Sequence, residues 1–265
     1  MTDFIQVICP KELSFLQPYI VDDLKRIGNL TDGGYVMNPS AITNIDCLLS
    51  LGLGENWSFE ESLSQINRSA SIEIYDNTIS FFFFVKKSLN GVVKLLLFKE
   101  SWVSVKARFS RLLNYFSFWY RNPRNKHHKV RINNKSFQQV LSRIPTDSII
   151  GLKIDIEGSE WELLEPIIMH QSRFGFIVIE IHDFELHVQQ LRDFLGQLSE
   201  RLVLSHLHAN NFEGLGKNGF PRVFEITLLR DPEIRSPREY RNELPIDGLD
   251  APNAKNRPDF LIKFS

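Results

Sequence analysis

The stretch GLKIDIEGSEWELLE, residues 151–165, decides the fold predicted for this chain of 265 residues. It begins as a mostly apolar run, which is typical of a strand covered on both faces, and then reaches Asp155 and Glu157. A helical pattern starts soon afterwards. A buried strand that carries acidic residues into its exit loop suggests a sheet whose strand ends form a site.

Strand-like and helix-like segments alternate along the rest of the chain. The other strand-like runs are DCLLSLGLG (46–54), ASIEIYD (70–76), HKVRI (128–132), FGFIVIEIH (174–182), RLVLSHLH (201–208) and RVFEITLL (222–229). Helical periodicity marks SFEESLSQIN (58–67), SFQQVLSRI (136–144) and residues 184–202, where one stripe holds Leu186, Leu191, Phe194, Leu195 and Leu198. This order predicts an α/β fold with a doubly wound, mostly parallel sheet that ends in an antiparallel hairpin.

Composition is that of a globular protein, with 43% apolar and 24% charged residues and a net charge of −1. Cys9 and Cys47 suggest neither a disulfide framework nor a metal site, and they fit a reducing compartment. The first residues lack the pattern of a secretory signal, so we expect a cytoplasmic protein. The apolar run 81–98 is interrupted by lysines, which argues against a membrane-spanning helix and leaves a core segment or a membrane-surface segment as alternatives.

Two segments fall outside the alternation within the single domain that we expect for residues 1–265. Residues 79–128 are rich in basic and aromatic side chains, and residues 231–265 form a polar, Pro-rich tail. We expect the first segment to be a cap that recognises an anionic acceptor through residues such as Arg121 and Arg124. A solvated basic face is the simpler alternative.

The first strand-like run ends in Gly52 and Gly54, which allow a tight turn close to a ligand. Asp76 ends the next run about twenty residues later, where an acidic side chain can accept the ribose hydroxyls of an adenosine cofactor. Each feature alone also fits an ordinary turn. Together they predict a nucleoside site that includes the neighbouring Glu55 and Asn77.

Acidic residues and histidines gather at the later strand ends. Asp155 follows one strand, while Glu180 and His182 share a face at the end of the next, so we expect the three to meet in one crevice. The alternative is that these are strand-end features and a core histidine. His208 and Asn210, at a third strand end, are predicted to contact substrate.

These segments in this order resemble FkbM-type or related class I S-adenosylmethionine-dependent methyltransferases. The resemblance rests on RIGNLTDGGYV (26–36), LLSLGLGENWSFEESL (48–63), IEIYD (72–76), LKIDIEGSEWELL (152–164), IVIEIH (177–182) and HLHANN (206–211). It implies a Rossmann-like, seven-stranded sheet and places Gly33 and Tyr35 beside the cofactor. Ser50 stands where many members have an acidic residue, and the third glycine of the usual fingerprint is absent.

The resemblance implies methyl transfer from S-adenosylmethionine, and a sugar or glycan hydroxyl is the acceptor that we expect. Such a hydroxyl needs a base, for which His182 is the candidate, or Mg²⁺ or Mn²⁺ held by Asp155, Glu180 and His182. An anionic glycan acceptor could also bring the protein to the inner face of a membrane. An RNA methyltransferase, a cofactor-binding protein without catalysis and a nicotinamide dehydrogenase remain alternatives, although nucleic acid is the less favoured partner.

Overall fold

The structure of the protein is a computed structural model, and it describes residues 4–230 and 239–264. Within these residues the central sheet has seven strands, in the order β6-β5-β4-β7-β8-β10-β9. The strands are β4 (Cys47–Leu51), β5 (Ser71–Tyr75), β6 (Asn125–His128), β7 (Ile150–Ile154), β8 (Phe174–Ile181), β9 (Leu202–Ala209) and β10 (Phe224–Arg230). In the described sheet, β10 runs antiparallel to β8 and β9, and the other neighbouring strands pair in parallel. The doubly wound, Rossmann-like sheet with its closing antiparallel hairpin is therefore confirmed.

Helices cover both faces of this sheet, which explains why its strands read as continuous apolar runs. One face packs against α5 (Asn134–Arg143), α6 (Leu164–Met169) and α7 (Val188–Leu198). The other face packs against α1 (Pro39–Thr43) and α2 (Ser58–Ile66). The carboxyl ends of the parallel strands meet at one edge, where an open α/β sheet binds its ligands.

Two local predictions differ from the structure. The strand expected at 128–132 is β6, which ends at His128, and Ile132 beyond it is buried in the core. Leu186 was predicted on the apolar stripe of α7, but it lies in a 3₁₀ turn, Phe184–Leu186, and is 74% exposed. The other four residues of that stripe are buried as predicted.

The basic aromatic segment forms a helical hairpin of α3 (Phe81–Leu96) and α4 (Trp102–Arg121). The side chains of Phe84, Tyr115 and Phe118 pack into the sheet's second core, against Trp57 among others. Because the chain then enters β6, the segment outside the sheet ends before Asn125, earlier than the predicted boundary at 128.

The two chain ends come together in a small second sheet. Here β1 (Phe4–Ile8) runs parallel to β12 (Asp259–Lys263), and β11 (Glu243–Leu244) pairs with β12 from the other side. Asn211 fixes the tail by donating to the carbonyls of Ala254, Arg257 and Pro258 and accepting from the Ala254 amide. The part of the predicted tail at 231–238 lies outside the described residues.

A further hairpin of β2 (Lys25–Gly28) and β3 (Gly34–Met37) packs on the central sheet through β10. The 3₁₀ turns of the described chain are Lys11–Leu16, Glu160–Glu162, Gln171–Arg173 and Phe184–Leu186. Among the described helices, none combines the length and the apolar character needed to cross a membrane.

Candidate active site

The turn after β4 approaches the loop after β7 so closely that Gly52 cannot be replaced. Gly52 has φ +81°, and a Cβ atom at this position would lie 1.7 Å from the carbonyl oxygen of Asp155. Its amide donates to the Tyr75 carbonyl, and the Asp155 amide donates to the Leu51 carbonyl. The glycine predicted from the sequence therefore joins the ends of three neighbouring strands.

Asp76 braces this turn from the end of β5. Its Oδ2 accepts hydrogen bonds from the amides of Leu53 and Gly54, at 2.9 and 3.0 Å. Its Oδ1 accepts from the amide and hydroxyl of Thr78 and from the Ile79 amide. Burial opposes ionisation, but these donors outweigh it and lower the pKa of Asp76. These five donors use the acceptor capacity of one carboxylate. Contact of Asp76 with a ribose stays a prediction, and it would require some of these hydrogen bonds to break.

A groove of about 440 Å³ opens along the carboxyl ends of β4, β5 and β7, and we call it the groove compartment. Gly52, Gly54, Asp76, Asn77 and Asp155 are among the residues that line it. Its remaining lining residues are Tyr75, Thr78, Val130, Arg131, Ile132, Ile156, Glu157 and Ser159. A molecule that joins a flat ring to a group bearing hydroxyls fits such a mixture of apolar and hydrogen-bonding walls.

A second cavity of about 330 Å³, the acidic compartment, shares Gly54, Asp155 and Glu157 with the groove compartment. Asp155, Glu180 and His182 all line it, so the prediction that adjacent strands bring these three into one crevice is confirmed. The other lining residues are Asp32, Gly33, Leu53, Glu55, Asn56, Lys153, Asn210, Phe212, Glu213 and Val223. Six of its fifteen lining residues are acidic.

His182 is held in place by Glu160, a residue of the 3₁₀ turn Glu160–Glu162. Glu160 is fully buried, and its Oε1 accepts from the His182 amide at 2.7 Å and lies 3.2 Å from Nδ1 of the ring. Burial disfavours the charged ring, but the Glu160 hydrogen bond and the carboxylates of Glu160, Glu180 and Glu157 raise the pKa of His182 to about 9. The imidazole is therefore mainly protonated at neutral pH.

Glu180 behaves differently from the metal ligand that the sequence suggested. Its carboxyl is 8% exposed, and Oε1 accepts from Asn210 at 2.7 Å. Burial, followed by the carboxylates of Asp155 and Glu225, raises its pKa well above the usual range. Glu180 is therefore better suited to hold a proton, and Asn210 positions it.

Lys153 is a buried cation that the sequence analysis missed. Its ammonium group donates to the Gly52 carbonyl at 2.8 Å and lies 3.3 Å from Glu60, which also accepts from Ser50. Burial opposes its charge, but Glu60, Asp155 and Glu180 raise the pKa of Lys153. The signal was a lysine inside an otherwise apolar strand, where an unpaired charge would be costly. Ser50 stands where many family members have an acidic residue, and here its hydroxyl donates to the carboxylate of Glu60 from α2.

One group of side chains has the spacing of metal ligands. Single ligand atoms of Asp155, Glu157 and His182 lie within 4.8 Å of one another. The set differs from the predicted one, because Glu157 replaces Glu180. Glu157 follows β7 in an exit loop with φ +53°, which turns its exposed carboxylate toward His182, 3.5 Å away.

The predicted cofactor contacts Gly33, Glu55 and Tyr35 differ in how close they lie to the acidic compartment. Gly33 lines the acidic compartment and has φ +80°, and Asn56 and Ser58 hold its turn over the start of α2. Glu55 also lines this compartment, but its carboxylate pairs with Lys87 and Arg111 of the hairpin. Tyr35 is 3% exposed and packs against Phe59, so it supports the site from the core.

Two predicted substrate contacts, His208 and Arg124, lie away from either compartment. His208 is buried between Glu225 and Asp259, where it connects β9 to the tail. Arg124 bonds the carbonyls of Arg68 and Ser69 at the amino end of β5, opposite the site, so its predicted role is wrong. Arg121 is the last residue of α4, and its contact with substrate stays a prediction.

The sequence of the chain matches one family of known proteins. A family model described as the methyltransferase FkbM domain matches residues 26–207. The comparison with curated proteins gave no match.

Solved structures include remote likenesses. Precorrin-6y C5,15-methyltransferase from Geobacter metallireducens is 13% identical with a TM-score of 0.37, covering 72% of this chain and 84% of its own. An O-methyltransferase from Bacillus cereus in complex with SAH is 12% identical with a TM-score of 0.40, and the coverage is 72% and 76%. These likenesses are too weak to carry an argument about the site.

Proposed function

Since the chain belongs to the FkbM methyltransferase family, with the domain over residues 26–207, we propose that this S-adenosylmethionine-dependent methyltransferase methylates a hydroxyl oxygen of a sugar or glycan. The observation that carries the proposal is the pair of joined compartments at the carboxyl edge of the sheet. One fits a nucleoside, and the other gathers proton-accepting and hydrogen-bonding groups.

The residues present fit S-adenosylmethionine, which supplies a methyl group on a positively charged sulfur when it is bound. The turn at Gly52 leaves room for close approach to the backbone, and Ile132 and Ile156 give the groove compartment apolar walls. Asp155 and Glu157 stand where the two compartments join, so their negative charge would favour a cation at that point.

A hydroxyl oxygen must lose its proton when it becomes an ether. Two groups of the acidic compartment can accept that proton, namely the Asp155 carboxylate and His182 in its neutral form. Because the pKa of His182 is about 9, a rate that depends on the neutral ring rises with pH up to that value. Glu180, which favours its protonated form, can instead donate a hydrogen bond to the acceptor.

The charge of the acidic compartment favours a neutral acceptor at the reacting end. Carboxyl groups of Asp32, Glu55, Asp155, Glu157, Glu180 and Glu213 line it, against the cations Lys153 and His182. A phosphate there would be repelled, whereas a polyol can use these groups and Asn210 as hydrogen-bond partners. The expected anionic part of the acceptor would therefore have to lie outside this compartment.

The sequence predicted either a side-chain base or a bound metal ion. The metal version now uses Glu157 in place of Glu180. Asp155, Glu157 and His182 offer the oxygen and nitrogen ligands that Mg²⁺ or Mn²⁺ accepts, and the ion would lower the pKa of a bound hydroxyl. A bound ion would need the deprotonated ring of His182, so its affinity would also rise with pH. A chelator abolishes activity in this version and leaves it intact if a side chain is the base.

A methyl-transfer assay tests the proposal. The protein is incubated with ¹³C-methyl-labelled S-adenosylmethionine and separate pools of sugar nucleotides, glycans and RNA, and the chemical shift of the methyl carbon identifies the methylated atom. We expect an O-methyl product from the carbohydrate pools. Methylation of RNA alone, with the steep salt dependence of phosphate contacts, would replace the proposal, and no product from any pool would favour a non-catalytic binder.

Cofactor binding has its own test at Asp76. We expect Asp76→Ala to weaken the affinity for S-adenosylhomocysteine by about tenfold or more, because the turn at Leu53 and Gly54 loses its brace. Calorimetry on the variant and on the wild type measures this. Unchanged affinity would remove Asp76 from both roles, the brace and the ribose contact.

A further inference from the structure

The tip of the α3–α4 hairpin is unusually apolar for a surface exposed to water. Leu96, Leu97, Phe98, Trp102 and Val103 are 73%, 57%, 97%, 67% and 76% exposed. Each helix continues the tip with an exposed stripe at helical spacing. These stripes are Phe82, Leu89, Val93 and Leu96 on α3 and Trp102, Phe109, Leu113, Phe116 and Tyr120 on α4. An exposed apolar surface of this extent indicates a binding partner.

The charges of the hairpin indicate what kind of partner this is. Lys86, Lys94, Lys99 and Lys106 are exposed among the apolar residues. Glu100 is the single acidic residue between positions 81 and 121, and Arg108 neutralises it at 2.7 Å. Aromatic and aliphatic side chains interspersed with lysines are typical of segments that insert into the headgroup layer of an anionic membrane.

The tip also projects past the edge of the sheet at which the site opens. Lys87 of α3 and Arg111 of α4 both pair with Glu55 of the acidic compartment. These ion pairs show which part of the hairpin lies beside the site. From Lys87 to Leu96, α3 extends for roughly 14 Å at its usual rise per residue. A membrane in contact with the tip would therefore face the carboxyl edge of the sheet.

We propose that the hairpin tip docks on an anionic lipid surface and so holds the site toward the membrane. Phe98 and Trp102 enter the headgroup layer, and the exposed lysines contact lipid phosphates. The contact is interfacial, since the lysines interrupt both helices. This docking is independent of which acceptor the site methylates.

Co-sedimentation with vesicles tests the docking. Vesicles of equal parts phosphatidylcholine and phosphatidylglycerol should bind the full chain, and vesicles of phosphatidylcholine alone should bind it much less. Replacing Phe98 and Trp102 together by serine should weaken binding on the order of tenfold or more. Lys94→Glu with Lys99→Glu should also weaken binding and remove its dependence on the anionic lipid.

Leu186→Ser is the matched control, because Leu186 is 74% exposed but lies in the turn after β8. It should leave vesicle binding unchanged, and every variant should keep the wild-type unfolding temperature and affinity for S-adenosylhomocysteine. Full vesicle binding by the serine variant overturns the proposal. The proposal is also overturned if the wild type does not bind vesicles but self-associates, and the serine variant does not self-associate. The hairpin tip would then be an interface between two copies of the chain.

Discussion

Replacing Glu160 by glutamine should lower the pKa of His182 and leave the ring in place. The pKa of His182 is about 9, compared with 6.5 for the ordinary side chain. At about 1.4 kcal/mol for each pH unit, the site favours the protonated ring by roughly 3 kcal/mol before solvent screening. The side chain of His182 is 15% exposed, so water reduces this figure.

The buried carboxylate of Glu160, 3.2 Å from Nδ1, should supply most of the remaining effect. We therefore expect Glu160→Gln to lower the pKa of His182 by about 1–2, which lies within the range of about 1–3 for an adjacent opposite charge. Titration of the histidine ring signals by NMR measures the change, with His182→Asn identifying the signal.

Glu157→Gln is the matched control for this titration. Its carboxylate lies at a similar distance of 3.5 Å, but its side chain is 86% exposed, so water screens the interaction. We expect a change in pKa of less than about half a unit. An unchanged pKa in Glu160→Gln, or a larger change in Glu157→Gln, would refute the assignment of Glu160 as the residue that holds His182 protonated.

Three further outcomes follow from the structure. Gly52→Ala should abolish binding of S-adenosylhomocysteine in calorimetry, since its Cβ would lie 1.7 Å from a backbone oxygen, whereas Gly196→Ala, with open space around it, should bind normally. Asn211→Ala should lower the free energy of unfolding by about 2–3 kcal/mol in a urea titration, because the tail loses its hydrogen bonds to the Asn211 amide group, of which those to the Ala254 carbonyl and amide are buried; unchanged stability would contradict the role of Asn211 in holding the tail. Protonated His182 should stabilise the fold fully below pH 6.5 and lose this contribution as pH rises through about 9, so the unfolding temperature of the wild type should fall more steeply over that range than that of His182→Asn.

The fold was largely predictable because the central strands are covered on both faces. Burial on two sides leaves a continuous apolar run, as in β7 and β8, and the glycine at 52 marks the tight turn between layers. The small sheet of β1, β11 and β12 was not predicted. Its strands are short, and β1 pairs with β12 across almost the whole length of the chain, so local periodicity carries no information about this sheet.

The site was predictable to the level of strand ends and no further. Parallel strands bring their carboxyl ends together, so the meeting of Asp155, Glu180 and His182 followed from topology. Which carboxylate faces which ring depends on loop geometry, and the positive φ of Glu157 made it, in place of Glu180, the neighbour of His182. Arg124 was assigned from charge alone, which does not indicate the end of the sheet at which a residue lies.

Methyl transfer by Asp155→Asn tests the central claim most directly, because Asp155 lies where the two compartments join. The wild type and the variant are compared for binding of S-adenosylhomocysteine and for O-methylation of the carbohydrate acceptor found in the labelled assay. We predict that the variant binds the product within a few-fold of the wild type and loses activity by about a hundredfold or more. Wild-type activity in both Asp155→Asn and His182→Asn would contradict the account of this site.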